Sequence, residues 1–215
     1  MPRPRTPLLS RELIVARASA IIDAEGLAEL STRRLARELR VSAPSLYNHF
    51  RTKEEILDAV ADAIVARVDL SMFGRLPWPD ALIGWARAYR AVLVAHPHAV
   101  PLIARGPGRR PAALRLAETV FGALVDAGWP PRDATSIGAA MRYFVAGSAV
   151  GSFAGGFPAD AAVYASDYPH LTDAHLLSSV SEAVDERAFE VGLSSLVAGF
   201  EARFDALSRG DRRSS

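Results

Sequence analysis

The 215-residue chain carries 25 Lys+Arg and 24 Asp+Glu, is half apolar and contains no cysteine. That balance belongs to a globular chain long enough to bury a core in one large domain or two small ones, and it excludes disorder throughout. It also excludes a disulfide framework, a thiolate zinc site and a cysteine nucleophile. Met1 to Pro7 lack the apolar core of a secretory signal. The uncharged run from Tyr143 to Ala159 is 17 residues long and broken by Gly147, Gly151, Gly155, Gly156 and Pro158, too short for a membrane span. Both readings predict a cytoplasmic protein with no membrane partner.

The near-neutral total hides an asymmetry. Ten basic and five acidic residues fall within residues 1–53, a charge of +5, and the remainder carries −4. A basic head on an acidic body predicts a polyanion for the first and another task for the second.

Helical spacing recurs along the whole chain, which predicts an all-α protein. Ser10 caps a first helix that turns Ile14, Ala18, Ile21 and Ile22 to one side and stops near Gly26. Ser31 caps a second from Thr32, with Leu35, Ala36 and Leu39 inward, and Arg40-Val41-Ser42 leads into a third that runs through Phe50. Ser42 is the expected N-cap there, with Pro44 tolerated in the first turn and Leu46 inward. Thr52 caps a fourth helix over 53–70, carrying Ile56, Leu57, Val60 and Ile64 at helical spacing. After the break at Leu76 to Pro79, punctuation by proline and glycine predicts helices at 80–95, 99–105, 111–127, 131–155 and 185–207. Residues 156–184 are rich in Gly, Pro, Ser and Asp, with one short helix expected near 172–182.

The second and third helices, tightly joined and anchored by Leu35, Leu39, Val41 and Leu46, make a helix-turn-helix. A short third helix held by the second presents Ser45, Tyr47, Asn48 and His49, led by Ala43 and Pro44, to a major groove about 12 Å wide. Thr32, Arg33 and Lys53 stand at helix starts, where anions are favoured. Arg3 and Arg5 form a candidate minor-groove arm.

The run Leu30 to Asp58, LSTRRLARELRVSAPSLYNHFRTKEEILD, resembles the DNA-binding domain of the TetR family of bacterial transcriptional repressors. Most characteristic is Ser-Leu-Tyr-Asn-His-Phe followed by Lys-Glu-Glu-Ile-Leu. The resemblance implies that Tyr47, His49 and Lys53 contact phosphates while Ala43, Pro44, Ser45 and Asn48 face bases. Arg40 is a departure, since the family usually has glycine in the turn. A left-handed backbone at a non-glycine residue costs on the order of 1 kcal/mol.

The resemblance also implies a larger C-terminal helical domain that dimerises and binds a small effector. Trp78-Pro79-Asp80, Asp126 to Trp129, and Phe189 to Leu193 continuing to Gly199-Phe200-Glu201 are similar to the tetracycline-repressor branch. The division expected is residues 1–53 for DNA binding, 54–70 for a connecting helix, and 71–215 for ligand binding and dimerisation. Gly147, Gly151 and Gly155, four residues apart on one helix, predict close backbone approach, because each mid-helix glycine costs roughly 1 kcal/mol. With Phe189, Leu193, Leu196 and Phe200 of the last helix, Gly147 and Gly151 are expected in a four-helix homodimer interface.

Trp85, Tyr89, Leu93, Ile103, Val120, Phe121, Tyr143 and Phe144 are the candidate lining of an apolar effector cavity, each also readable as core. Tetracycline repressors hold a magnesium–drug chelate through a histidine and a glutamate, at whose places Ile103 and Gly151 stand. No cofactor or metal is therefore expected. His96, His98, His170, Asp173 and His175 are read as surface residues. No cysteine, HExxH, GxSxG or Walker glycine run is present, which argues against an enzyme. The function expected is a ligand-responsive repressor that binds a palindromic duplex operator as a homodimer. A constitutive DNA-binding regulator without a natural ligand is the alternative.

Overall fold

The computed structural model describes residues 9–164 and 167–211, so Arg3 and Arg5 lie outside the described residues. All regular structure among the described residues is helical. The chain divides into two compact units, Met1–Val68 with Ala95–Ala117 and Asp69–Val94 with Glu118–Ser215.

The first unit begins with four helices: α1 (Arg11–Glu25), α2 (Thr32–Leu39), α3 (Ala43–Tyr47) and α4 (Lys53–Val65). Three of their starts are fixed by the expected caps, since Ser10, Ser31 and Thr52 accept the amide protons of Leu13, Arg34 and Glu55 at 3.2, 3.1 and 3.1 Å. Ser42 is different. It makes no side-chain capping bond, and its hydroxyl lies 2.7 Å from that of Ser45 instead. Ile14, Ala18, Ile22, Leu35, Leu46, Phe50, Ile56 and Val60 are buried and form the core of this part.

The α2–α3 turn is a Schellman motif. The amide of Arg40 donates to the Arg37 carbonyl at 3.1 Å and that of Val41 to the Ala36 carbonyl at 3.0 Å. Arg40 takes the left-handed conformation this requires, at φ 55° and ψ 40°, and no other described non-glycine residue has a positive φ.

Residues 95–117 complete the first unit through α6 (Val100–Ala104) and the start of α7 (Pro111–Asp126). Asp62 of α4 accepts the amide protons of Ala112 and Ala113 at 2.8 and 3.1 Å, satisfying two orphan donors at the start of α7. His98 Nδ1 donates to the Ile22 carbonyl at 3.0 Å. His96 is buried, a correction to its reading as a surface residue. Arginine can only donate, so His96 Nε2 accepts from Arg67 at 2.9 Å and Nδ1–H donates to Asp23 at 2.9 Å. Removing the ring in His96→Leu strands the half-buried Asp23 carboxylate and frees the exposed Arg67, a loss of about 1–3 kcal/mol. A melting temperature lowered by several degrees is the expected result; an unchanged one would show that Asp23 and Arg67 need no bridge.

The second unit contains α5 (Trp78–Val94), the rest of α7, α8 (Pro131–Gly147) and α9 (Ser181–Asp211). Trp129 packs on Trp78 and Phe204 at ring-centre distances of 5.5 and 5.0 Å. Arg87 of α5 grips Glu190 of α9 through two bonds of 2.8 and 2.6 Å, and Arg90 pairs with Glu186. The Arg87 hydrogen bonds hold the Glu190 carboxyl below its ordinary range. Phe144 stacks on Phe189 at 5.4 Å.

Several elements depart from expectation. The fourth helix stops at Val65, short of residue 70, and Asp69 then accepts the amide and hydroxyl of Ser71, a local bond that competes with helix. The eighth stops at Gly147, short of 155, where the Ser148 hydroxyl donates to the Val145 carbonyl at 2.8 Å. Gly147, Gly151 and Gly155 therefore do not share one helix face. The glycines that admit a neighbour are Gly138 and Gly192, where a Cβ would meet the Phe121 and Phe144 rings at 2.2 and 2.6 Å. The last helix begins at Ser181 and extends to Asp211, and 3₁₀ turns at Ala154–Gly156, Ala161–Tyr164 and Ala174–Val180 occupy much of the stretch before it.

Candidate nucleic-acid interface

Helix α3 is short because its sequence supplies few anchors. Leu46 and the following Phe50 point into the core, while Pro44, Tyr47 and Asn48 are exposed and Ala43, Ser45 and His49 half-buried. Tyr47 is 49% exposed, a large aromatic side chain that the fold does not use for packing. All of the sequence-predicted base-facing and phosphate-facing residues thus sit in the first unit, on α3, in the turn that follows it (Asn48 and His49) or at the starts of α2 and α4.

The structure sorts the cations of this region into two groups. Arg34 is consumed by the fold: it bonds Glu25 at 2.7 and 3.1 Å and Glu38 at 3.1 Å. Those bonds raise the Arg34 pKa and hold the Glu25 carboxyl below its ordinary range. Arg51 is likewise paired with Glu55, whose carboxyl is held down first by the Arg51 amide and then by its guanidinium. Arg33, Arg37, Arg40 and Lys53 form no ion pair among the described residues and remain available to an anion.

One positioning residue was not legible in the sequence. Arg11, 38 residues before His49, donates to the His49 carbonyl and lays its guanidinium over the Phe50 ring at 3.9 Å. It ties the start of α1 to the end of the α3 turn, so α3 is held from both sides. Local sequence carries no signal for such a contact.

In the second unit Trp85, Tyr89, Leu93 and Val120 are buried, Phe121 and Phe144 half-buried, and Tyr143 is 71% exposed. Trp85 stacks on Tyr89 at 5.9 Å, and Phe73 tilts against Trp85 at 6.4 Å. The Trp85 indole N–H is buried without a hydrogen-bond partner. Ile103 is buried in the first unit. An open cleft of about 620 Å³ lined by Phe73, Leu76, Trp78, Glu118 and Asp126 includes none of the predicted lining residues. Of the predicted interface residues, Phe189 and Leu193 are buried within the chain, Leu196 and Phe200 are half-buried, and Gly147 and Gly151 face open space. No three ligating side chains cluster among the described residues. Ile103 is apolar and Gly151 lacks a side chain, so neither supplies a metal ligand. No described helix is long and apolar enough to cross a membrane.

Residues 14–60 match the family profile for bacterial regulatory proteins of the tetR family. Residues 74–204 match the profile for the tetracyclin repressor-like C-terminal domain. The chain is 32% identical over 203 residues to the Escherichia coli tetracycline repressor protein class A from transposon 1721, covering 91% of this chain and 92% of that one. It is 38% identical over 142 residues to an HTH-type transcriptional regulator of Saccharopolyspora erythraea, a match that spans 66% of this chain and 60% of that relative. The Streptomyces coelicolor TetR family protein ActR, in complex with actinorhodin, superposes with a TM-score of 0.73 at 29% identity, over 91% of this chain and 98% of ActR.

Proposed function

This chain belongs to the TetR family of bacterial regulatory proteins, and from that membership we propose that it is a cytoplasmic, non-enzymatic repressor released by an apolar effector. It binds duplex DNA as a dimer, with α3 of each subunit in successive major grooves. The observation that carries the DNA contact is the exposed Tyr47-Asn48 edge of α3, flanked by the unpaired cations Arg33 and Lys53. Tyr47, His49, Lys53 and Thr32 hold phosphates, and Ala43, Pro44, Ser45 and Asn48 meet base edges.

The unsatisfied Trp85 N–H supports an effector site at the Phe73–Trp85–Tyr89 stack, with Leu93, Val120 and Phe121 as candidate neighbours. A flat aromatic ligand with a hydrogen-bond acceptor would stack there and satisfy that donor. Residues 95–117 run without interruption from α5 into α7 and are bonded to α1 and α4 through His98, His96 and Asp62. A ligand that displaces α5 or α7 therefore pulls on the base of α4 and shifts the population away from the DNA-competent arrangement.

The test incubates the purified chain with fragmented genomic DNA, sequences what is retained, and titrates the complex with actinorhodin as a probe. Retention of an inverted repeat, and its release by a polycyclic aromatic in wild type but not in Trp85→Ala, is the expected result. Retention without sequence preference would overturn the regulator reading. Release that ignores the Trp85 change would place the effector elsewhere.

A further inference from the structure

We propose that Arg40 is an additional phosphate contact of this protein, placed by the turn between the two helices of the helix-turn-helix. The inference rests on the DNA-binding reading above and adds a residue to it.

Residue 40 is a position that disfavours the residue found there. The Schellman turn needs a left-handed backbone at residue 40, and Arg40 adopts it at φ 55°. Glycine does so without penalty, whereas any side chain meets the adjoining carbonyl. Strain of this kind is held in place by the surrounding structure and clusters at functional sites.

The fold itself makes no use of the Arg40 side chain among the described residues. The capping bonds at the end of α2 come from the amides of residues 40 and 41, which a glycine and Val41 would make equally well. The Arg40 side chain is exposed and makes neither a hydrogen bond nor an ion pair among the described residues. Arg37 already supplies the basic residue in the last turn of α2. Arg34 and Arg51, by contrast, are held by Glu25, Glu38 and Glu55. Arg40 is thus a free guanidinium two residues before Ser42, at the threshold of the helix that enters the groove. A planar fork of donors on a short rigid turn suits a phosphate.

A phosphate contact predicts opposite effects on folding and on binding. Arg40→Gly and Arg40→Asn both suit a left-handed backbone and both remove the charge. Each should melt at or above the wild-type temperature while binding DNA more weakly. With about 0.9 counterion released per contact and two copies of residue 40 per dimer, the log–log salt slope should fall by about 1.8. The wild-type advantage then shrinks roughly tenfold between about 50 and 200 mM salt. Because phosphates carry no sequence, the change in slope should appear on a duplex of arbitrary sequence as well as on the retained operator. Arg40→Lys keeps the charge and the strain, and should keep the slope. Wild-type affinity and slope in Arg40→Asn, or a slope lost equally in Arg40→Lys, would overturn this assignment. Failure of the wild-type chain to bind any duplex would overturn the DNA-binding reading instead.

Discussion

Tyr47→Ala is expected to weaken operator binding roughly 10²- to 10⁴-fold while leaving the fold intact. The size follows from what the side chain does in each state. In the free protein Tyr47 is half exposed, so its removal creates no cavity and costs little packing. In the phosphate contact proposed above its hydroxyl would donate to a charged oxygen, a bond of about 1.5–3 kcal/mol, and a dimer would make it twice. At about 1.4 kcal/mol per tenfold, the sum is the stated range. Tyr47→Phe removes only the hydroxyl and should show most of the loss. Salt supplies an independent check: Arg33, Arg40 and Lys53 in two subunits offer about six phosphate contacts, which lose roughly 10³-fold in affinity between about 50 and 200 mM. Fluorescence anisotropy of a labelled operator measures both. Binding within twofold of wild type in Tyr47→Ala, with no salt dependence, would sink the assignment of α3 as the recognition helix.

The head was legible because its determinants are local. Ser10, Ser31 and Thr52 each accept an amide proton three residues on, and Ile14, Ala18, Ile21 and Ile22 repeat at helical spacing on α1, so a linear reading catches them. Ser42 looked like the same device, but its hydroxyl pairs with Ser45 instead, a choice between two local partners that composition does not decide. Charge counting found the basic head and could not divide it. Arg33 and Arg34 are neighbours, yet only Arg34 points at Glu25, because successive residues on a helix diverge by about 100°. Contacts distant in sequence left no trace. His96 reads as a surface histidine until Asp23, 73 residues earlier, and Arg67 are placed around it. The glycine pattern misled for the same reason. Four-residue spacing puts Gly147, Gly151 and Gly155 on one helix, whereas α8 stops at Gly147, and within the chain close approach falls to Gly138 and Gly192, whose partners Phe121 and Phe144 lie on other parts of the fold.

The second large effect is expected from Val191→Glu, which should convert the dimer to a monomer without unfolding it. Phe144 of α8 stacks on Phe189 of α9, Gly192 receives the edge of the Phe144 ring, and both helices pack on α5, so their inner sides are spent within the chain. Their outer sides are not. On α9, Ala188, Val191, Ser195 and Ala198 are exposed at intervals of three, four and three residues, with no charge among them. On α8 the 71%-exposed Tyr143 lies one turn before Gly147. Two such pairs apposed across a twofold axis make a four-helix interface in which small residues admit close backbones. Val191 is 61% exposed in the single chain, so a carboxylate there is harmless to the folded subunit. In the dimer it would be buried twice near the axis, and a central interface residue costs about 2 kcal/mol or more per copy. The dissociation constant should rise about a thousandfold or more, and sedimentation should show a species near the 23.1 kDa chain mass at micromolar concentration. Operator affinity should fall with it, since two half-sites are then bound independently rather than at the effective concentration a dimer provides. Val191→Ala, which trims the contact without burying a charge, should weaken dimerisation and operator binding less than Val191→Glu does. A Val191→Glu protein that still sediments as a dimer would show that this face is turned to solvent and that the subunits meet elsewhere.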